Sequence, residues 1–73
     1  MTRLDTFKET ILGRYGSESA FARDLGWPRQ KLNHFTTGNR VPDLEDAIEM
    51  SDKLNVPIRD MIGFFLPDKS SNA

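Results

Sequence analysis

The stretch Ser17–Gly38, SESAFARDLGWPRQKLNHFTTG, decides the fold because it reads as two short helices separated by a tight turn. Ser17 is a typical N-cap, and Gly26 is placed to end the first helix. Pro28 suits the first turn of a second helix, which Gly38 can end in the left-handed conformation. The sequence therefore predicts two helices that cross closely at a fixed angle.

Small and apolar side chains are expected to hold these two helices together. Phe21, Ala22 and Leu25 share the inner face of the first helix, and the small Ala22 lets the second helix approach closely. Leu32 and Phe35 point to the same core from the second helix. In the turn between them, Trp27 is interpreted as a partly buried plug. Lys31 lies near the apolar side of the second helix, where its stem can cover the core.

The chain before this pair predicts another helix. Its apolar stripe recurs at three- and four-residue steps: Leu4, Phe7, Ile11 and Tyr15. Thr2 is a candidate N-cap for this helix and Gly16 a candidate end.

The chain after the pair predicts two more helices. Asp43 opens a fourth helix, whose inner side is expected to carry Leu44, Ala47, Ile48, Ser51 and Leu54. A fifth begins after Pro57, ends at Pro67 and carries the stripe Ile58, Met61, Ile62 and Phe65. Residues 1–67 are thus predicted to form one domain, followed by a disordered tail at 68–73.

Composition limits the alternatives. A chain of 73 residues has room for one compact core. It contains no cysteine and a single histidine, so neither a disulfide framework nor a structural zinc site is expected. It has no apolar run of bilayer length and no signal-peptide pattern, which favours a cytoplasmic protein without membrane association. No nucleophile, base and oxyanion donors can be assembled, so we expect neither an enzyme nor a cofactor.

Charge is distributed unevenly along the chain. The formal net charge is -1, which lacks the overall basic character of many nucleic-acid binders. Between Arg23 and Pro42, however, there are four basic residues and one acid, whereas residues 43–52 carry five acids and no base. One side of the domain could therefore face phosphate while another repels it. The plainer interpretation of both segments is a solvated surface.

The spacing of Ala22, Gly26, Leu32 and Phe35 resembles the helix-turn-helix of the Cro and lambda-type phage repressor family. The resemblance covers about residues 4–62, and its other matching positions are Gly38, Pro42, Leu44, Ile48, Leu54, Val56, Ile58, Met61 and Ile62. It implies an all-α, compact five-helix lambda-repressor-like domain with a central helix-turn-helix. It also implies a bacterial or phage origin.

The outward side of the second helix of the pair offers hydrogen-bonding groups. With Leu32 and Phe35 inward, a helical projection places Gln30, Asn33, His34 and Thr37 on the opposite side and Arg29 at its flank. Arg can pair with guanine and Asn or Gln with adenine, so Arg29, Gln30, Asn33 and His34 are candidate base contacts. The family resemblance implies backbone contacts from Ser17, Thr37 and Arg40. A polar outer face is also what any exposed helix shows.

These observations favour a sequence-specific transcriptional regulator that binds double-stranded operator DNA as a homodimer. An acid at Glu18, where DNA-binding relatives often carry a neutral donor, keeps a second function open. In that alternative, a phage modulator or antirepressor uses the same fold to bind a repressor protein. The candidate protein interface, for either the dimer or the partner, is Met61, Phe64, Phe65 and Leu66.

Overall fold

Five α-helices make up the regular structure of residues 3–66, the residues that the computed structural model describes. They are α1 (Arg3–Tyr15), α2 (Glu18–Leu25), α3 (Arg29–Thr36), α4 (Leu44–Leu54) and α5 (Ile58–Phe65). The predicted all-α, five-helix fold is confirmed. The expected cap Thr2, the expected end at Pro67 and the tail at 68–73 lie outside the described residues. None of the five helices is long and apolar enough to cross a membrane.

The ends of α2 and α3 follow from local chemistry. The Ser17 hydroxyl oxygen accepts a hydrogen bond from the Ala20 amide at 3.1 Å, which satisfies one of the unpaired donors of the first turn. Gly26 ends α2 with φ +74°, a left-handed conformation that costs glycine little. Pro28 is the N-cap of α3 and lies just before its first turn. The three residues Gly26, Trp27 and Pro28 thus form the turn of a helix-turn-helix pair.

The core is built around α1, which packs against each of the other four helices. Phe7 and Ile11 are fully buried, and Leu4 and Tyr15 pack against the same cluster, so the predicted stripe is confirmed. Phe21, Ala22, Leu32 and Phe35 are also buried, while Leu25 is half-buried against them. Every buried side-chain nitrogen and oxygen of residues 3–66 has a hydrogen-bond partner.

The inner faces expected for α4 and α5 are wrong in part. In α4 the buried side chains are Ala47, Met50, Ser51 and Leu54, whereas Leu44 and Ile48 are exposed. In α5 the inner residues are Met61, Phe64 and Phe65, and the exposed ones are Ile58 and Ile62. Each buried stripe starts three residues later than expected, a rotation of about 60° at 100° per residue. Both helices carry apolar arcs wider than the core can cover.

The interface expected at the C-terminal end changes with this rotation. Met61 is fully buried, so it is not accessible to a partner. Phe64 and Phe65 turn inward, where their ring centroids lie 5.4 and 5.1 Å from that of Phe7. They are therefore half-buried members of the core. Leu66 alone among the four is exposed.

Candidate nucleic-acid interface

The inner side of α3 is anchored by three buried residues. Leu32 and Phe35 enter the apolar core, and Thr36 is buried beside them. The Thr36 hydroxyl lies 3.2 Å from the Glu18 carboxylate and 3.3 Å from the Asn33 carbonyl oxygen. The bond to Glu18 joins the start of α2 to the end of α3. The orientation of α3 is thus fixed by a polar tie as well as by apolar packing.

The outer side of α3 brings the predicted base contacts together. Arg29, Gln30 and Asn33 are exposed, and His34 is half-buried next to them. With Thr37, these residues span an arc of about 140° at 100° per residue. Within residues 3–66, the side chains of Arg29, Gln30 and Asn33 make no hydrogen bond or ion pair with one another or with the rest of the domain. Their donors and acceptors are available to a ligand.

The three predicted backbone contacts differ in what their side chains can offer. The Ser17 hydroxyl accepts from the Ala20 amide, so its own proton remains available to an anion. The Thr37 hydroxyl instead donates to the Asn33 carbonyl oxygen at 2.8 Å, which commits its only proton within the helix end. Arg40 is exposed in the loop after α3, where its backbone amide donates to the His34 carbonyl oxygen at 3.0 Å. Arg40 and Ser17 are therefore better placed than Thr37 to bind phosphate.

The basic residues near α3 fall into two groups. Arg23, Arg29 and Arg40 form no ion pair within the described part of the chain. Lys31, by contrast, lies 3.2 Å from the Asp46 carboxylate, and its ammonium nitrogen is 4.3 Å from the centroid of the Trp27 ring. The unpaired positive charge of α3 and its flanks thus comes from arginine.

One acidic residue of α4 contacts the turn of the helix-turn-helix. The Trp27 indole donates to the Glu49 carboxylate at 3.2 Å, and its ring packs edge-on against Phe35 with centroids 5.9 Å apart. Trp27 is therefore the half-buried plug that the sequence predicts. The sequence does not predict the contact of Glu49 with the turn or that of Asp46 with Lys31 of α3, because it indicates only a solvated surface for this acidic segment. Asp43 does cap α4, by accepting from the Asp46 amide at 2.9 Å.

Comparison with known protein families, curated proteins and solved structures finds no match to this chain. The functional interpretation therefore rests on the placement of the residues themselves. Within residues 3–66, no three His, Cys, Asp or Glu side chains are grouped to hold a metal ion.

A second set of exposed residues is apolar and comes from the part of the chain that follows α3. Six of the seven exposed large hydrophobic residues follow residue 40, and together we call them the apolar face: Val41, Leu44, Ile48, Ile58, Ile62 and Leu66. Three of them, Val41, Ile62 and Leu66, line one small cleft with Pro42 and Phe65. The loop before α4 and the end of α5 thus meet on this face.

Proposed function

We propose that the protein is a non-enzymatic transcriptional regulator that binds double-stranded DNA sequence-specifically, with α3 in the major groove. The observation that carries the proposal is the outer side of α3, where Arg29, Gln30 and Asn33 are exposed and uncommitted. The opposite side of the same helix is anchored by Leu32, Phe35 and Thr36. A rigid helix with uncommitted polar groups is what base recognition requires.

The chemistry of these side chains fits the edges of bases. The arginine guanidinium can donate two hydrogen bonds to O6 and N7 of guanine, and the amide of Gln30 or Asn33 can pair with adenine. His34 lies beside Gln30 in an open groove that also contains Arg40. Arg29, Gln30, Asn33 and His34 therefore remain the proposed base contacts.

Phosphate contacts would position the helix in the groove. Arg40 from the loop, Arg23 from α2 and the Ser17 hydroxyl can approach the backbone on either side of α3. We keep Thr37 as a weaker candidate because its proton is already donated to Asn33. The arginines supply a local positive charge that the formal net charge of -1 conceals.

The active form is proposed to be a homodimer like those of Cro and lambda-type repressors, whose helix-turn-helix spacing the chain resembles. A two-fold pair would present two copies of α3 about 34 Å apart on one side of the duplex. The apolar face replaces the earlier expected interface as the surface that joins the copies. A regulator of this kind acts where the DNA is, which in a bacterium or a phage-infected cell is the cytoplasm.

The test begins with selection of bound duplexes from a random library at low and moderate salt. On the selected site, Gln30→Ala or Arg29→Ala should reduce discrimination against changed base pairs by about 1 to 3 kcal/mol. Arg40→Ala should weaken binding to all sequences alike, because phosphate carries no sequence information. Equal losses on all duplexes for Gln30→Ala and Arg40→Ala would contradict the assignment of base contacts.

A second candidate function is a modulator or antirepressor that binds a repressor protein. The apolar face favours it, since Val41 and Leu44 are 70% and 64% exposed in a small domain. In that case the purified protein should retain no duplex from the random library at low salt, but it should form a stable complex with a repressor. Leu44→Asp should then abolish the complex, whereas Gln30→Ala should leave it intact.

A further inference from the structure

Lys31 is the basic residue of α3 whose side chain is paired within the domain. Its ammonium nitrogen lies 3.2 Å from Asp46 Oδ1 and 4.3 Å from the centroid of the Trp27 ring. A carboxylate and the negative face of an aromatic ring are the two environments that most favour an ammonium group outside water. Lys31 nevertheless borders the open groove that contains Gln30, His34 and Arg40. Its side chain is 39% exposed, so the ammonium group is paired at the surface, beside the proposed DNA contacts.

The partners of Lys31 are themselves held in place. The Asp46 side chain is 18% exposed, and the Asp46 amide donates to the cap residue Asp43. Trp27 is fixed by its bond to Glu49 and by Phe35. Because Asp46 is only partly solvated, its attraction for Lys31 is screened less than that of a fully exposed acid. A phosphate would have to compete with this preformed site for the ammonium group.

We propose that Asp46 sets the DNA affinity of the protein by holding Lys31 away from the phosphate backbone. This inference rests on the proposed DNA-binding function and concerns the regulation of the same site. With Asp46 charged, the ammonium group is paired with a carboxylate at the surface of the domain. With Asp46 made neutral, Lys31 can extend along the groove and neutralise one phosphate in addition to those reached by the arginines. The acid thus limits both the strength and the salt dependence of binding.

The test compares two substitutions that change the net charge equally. Asp46→Asn removes the charge beside Lys31, while Glu45→Gln removes one from the neighbouring position of the first turn of α4, where Glu45 is exposed. Binding to the selected duplex is measured over a range of salt. One added phosphate contact steepens the slope of log affinity against log salt by about 0.9, so a fourfold rise in salt should weaken Asp46→Asn about 3.5-fold more than wild type. Glu45→Gln should keep the wild-type slope.

Two further variants assign the change to Lys31. Lys31→Gln should leave the wild-type slope unchanged, and the double variant Asp46→Asn, Lys31→Gln should return to it. Equal slopes for Asp46→Asn and Glu45→Gln would overturn the inference, as would a double variant that keeps the steeper slope. Either result leaves base-specific binding by the wild type intact. If neither the wild type nor any folded variant retains duplex DNA, the proposed function itself fails. Circular dichroism confirms that each variant is folded.

Discussion

Glu18 illustrates how one residue can oppose the proposed DNA binding and still support the fold. From the sequence, its charge at the start of α2 is unfavourable next to phosphate. In the structure its carboxylate accepts from Thr36, whose side chain is 1% exposed. Without this acid the Thr36 hydroxyl would keep only the Asn33 carbonyl oxygen, within its own helix, so removing Glu18 would loosen the tie between α2 and α3. We infer that Glu18 contributes to placing α3 even though its charge weakens attraction to DNA.

The ionisation of Tyr15 is expected to make the stability of the fold depend on pH in the alkaline range. Burial raises the pKa of Tyr15 above its ordinary value of 10.0, and the hydrogen bond it donates to the Asp24 carboxylate raises it further. Because the folded protein holds this proton more tightly than the unfolded chain, the stabilisation is fully present below pH 10.0. It is lost as pH rises through the higher pKa of the folded state.

The measurement compares urea unfolding of wild type and Tyr15→Phe as pH is raised. The wild type should be more stable at neutral pH, and its advantage should shrink above pH 10.0. Because Tyr15 is the one tyrosine in the chain, tyrosinate absorbance reports its ionisation directly. A constant difference between the two proteins across this range would show that folding does not raise the pKa of Tyr15.

At the scale of elements, the first three helices could be read from the sequence because their signals are local. Ser17 and Gly26 act on amides and carbonyls within one turn, and Phe7 and Ile11 leave a single apolar stripe to bury. In α4 and α5 the apolar arcs are wider, so two overlapping stripes were possible for each helix. Which stripe faces inward depends on where α1 lies, and the periodicity of one helix does not contain that information.

The same distinction applies to the candidate site. The polar set on α3 follows from the positions of Leu32 and Phe35, because a helix with a known inner face has a known outer face. The ties Glu18–Thr36, Trp27–Glu49 and Lys31–Asp46 could not be predicted. Their partners are separated by 18, 22 and 15 residues, and they meet only when three helices are packed.

Gly38, which follows the C-terminal end of α3, allows a test of how much stability depends on a left-handed backbone conformation. It has φ +82°, and an added Cβ would also lie 2.9 Å from the Leu4 side chain. The Leu4 methyl group can rotate away, so the backbone conformation supplies most of the cost. We expect Gly38→Ala to lower the free energy of unfolding by about 1 to 2 kcal/mol.

Gly13 is the matched control for this substitution. It lies within α1, and an added Cβ would meet nothing within 4 Å. Gly13→Ala should therefore raise the free energy of unfolding by about 0.5 to 1 kcal/mol, because alanine loses less backbone entropy in a helix. Both values come from urea unfolding. Destabilisation of equal size at both glycines would mean that the left-handed conformation is not the cause at Gly38.

At the scale of the whole molecule, charged and apolar residues are distributed unevenly over the helices. Three arginines lie on α2, on α3 and in the loop that follows, and three more lie on α1 and α5, while four acids lie on α4. The residues of the apolar face come from that loop, from α4 and from α5. None of them is among the proposed DNA contacts, so dimerisation and DNA binding are proposed to use different side chains.

The dimer can be tested by placing one charge on the apolar face and one on a comparable apolar residue elsewhere. Ile62 is 41% exposed on α5, and Leu12 is 50% exposed on α1, outside this face. If two copies pair through the apolar face, light scattering of the wild type should give twice the monomer mass of 8.3 kDa. Ile62→Asp should give the monomer mass, because a carboxylate buried between the copies would lose its hydration without gaining a partner. Leu12→Asp should remain dimeric.

Leu44→Asp, at the 64% exposed start of α4, provides a second charge on the face at a position where an acid favours the helix. A dimer that survives both Ile62→Asp and Leu44→Asp would exclude this face as its interface. The two copies of α3 could then lie about 34 Å apart, one turn of the DNA helix, only if the copies paired about a two-fold axis through another surface.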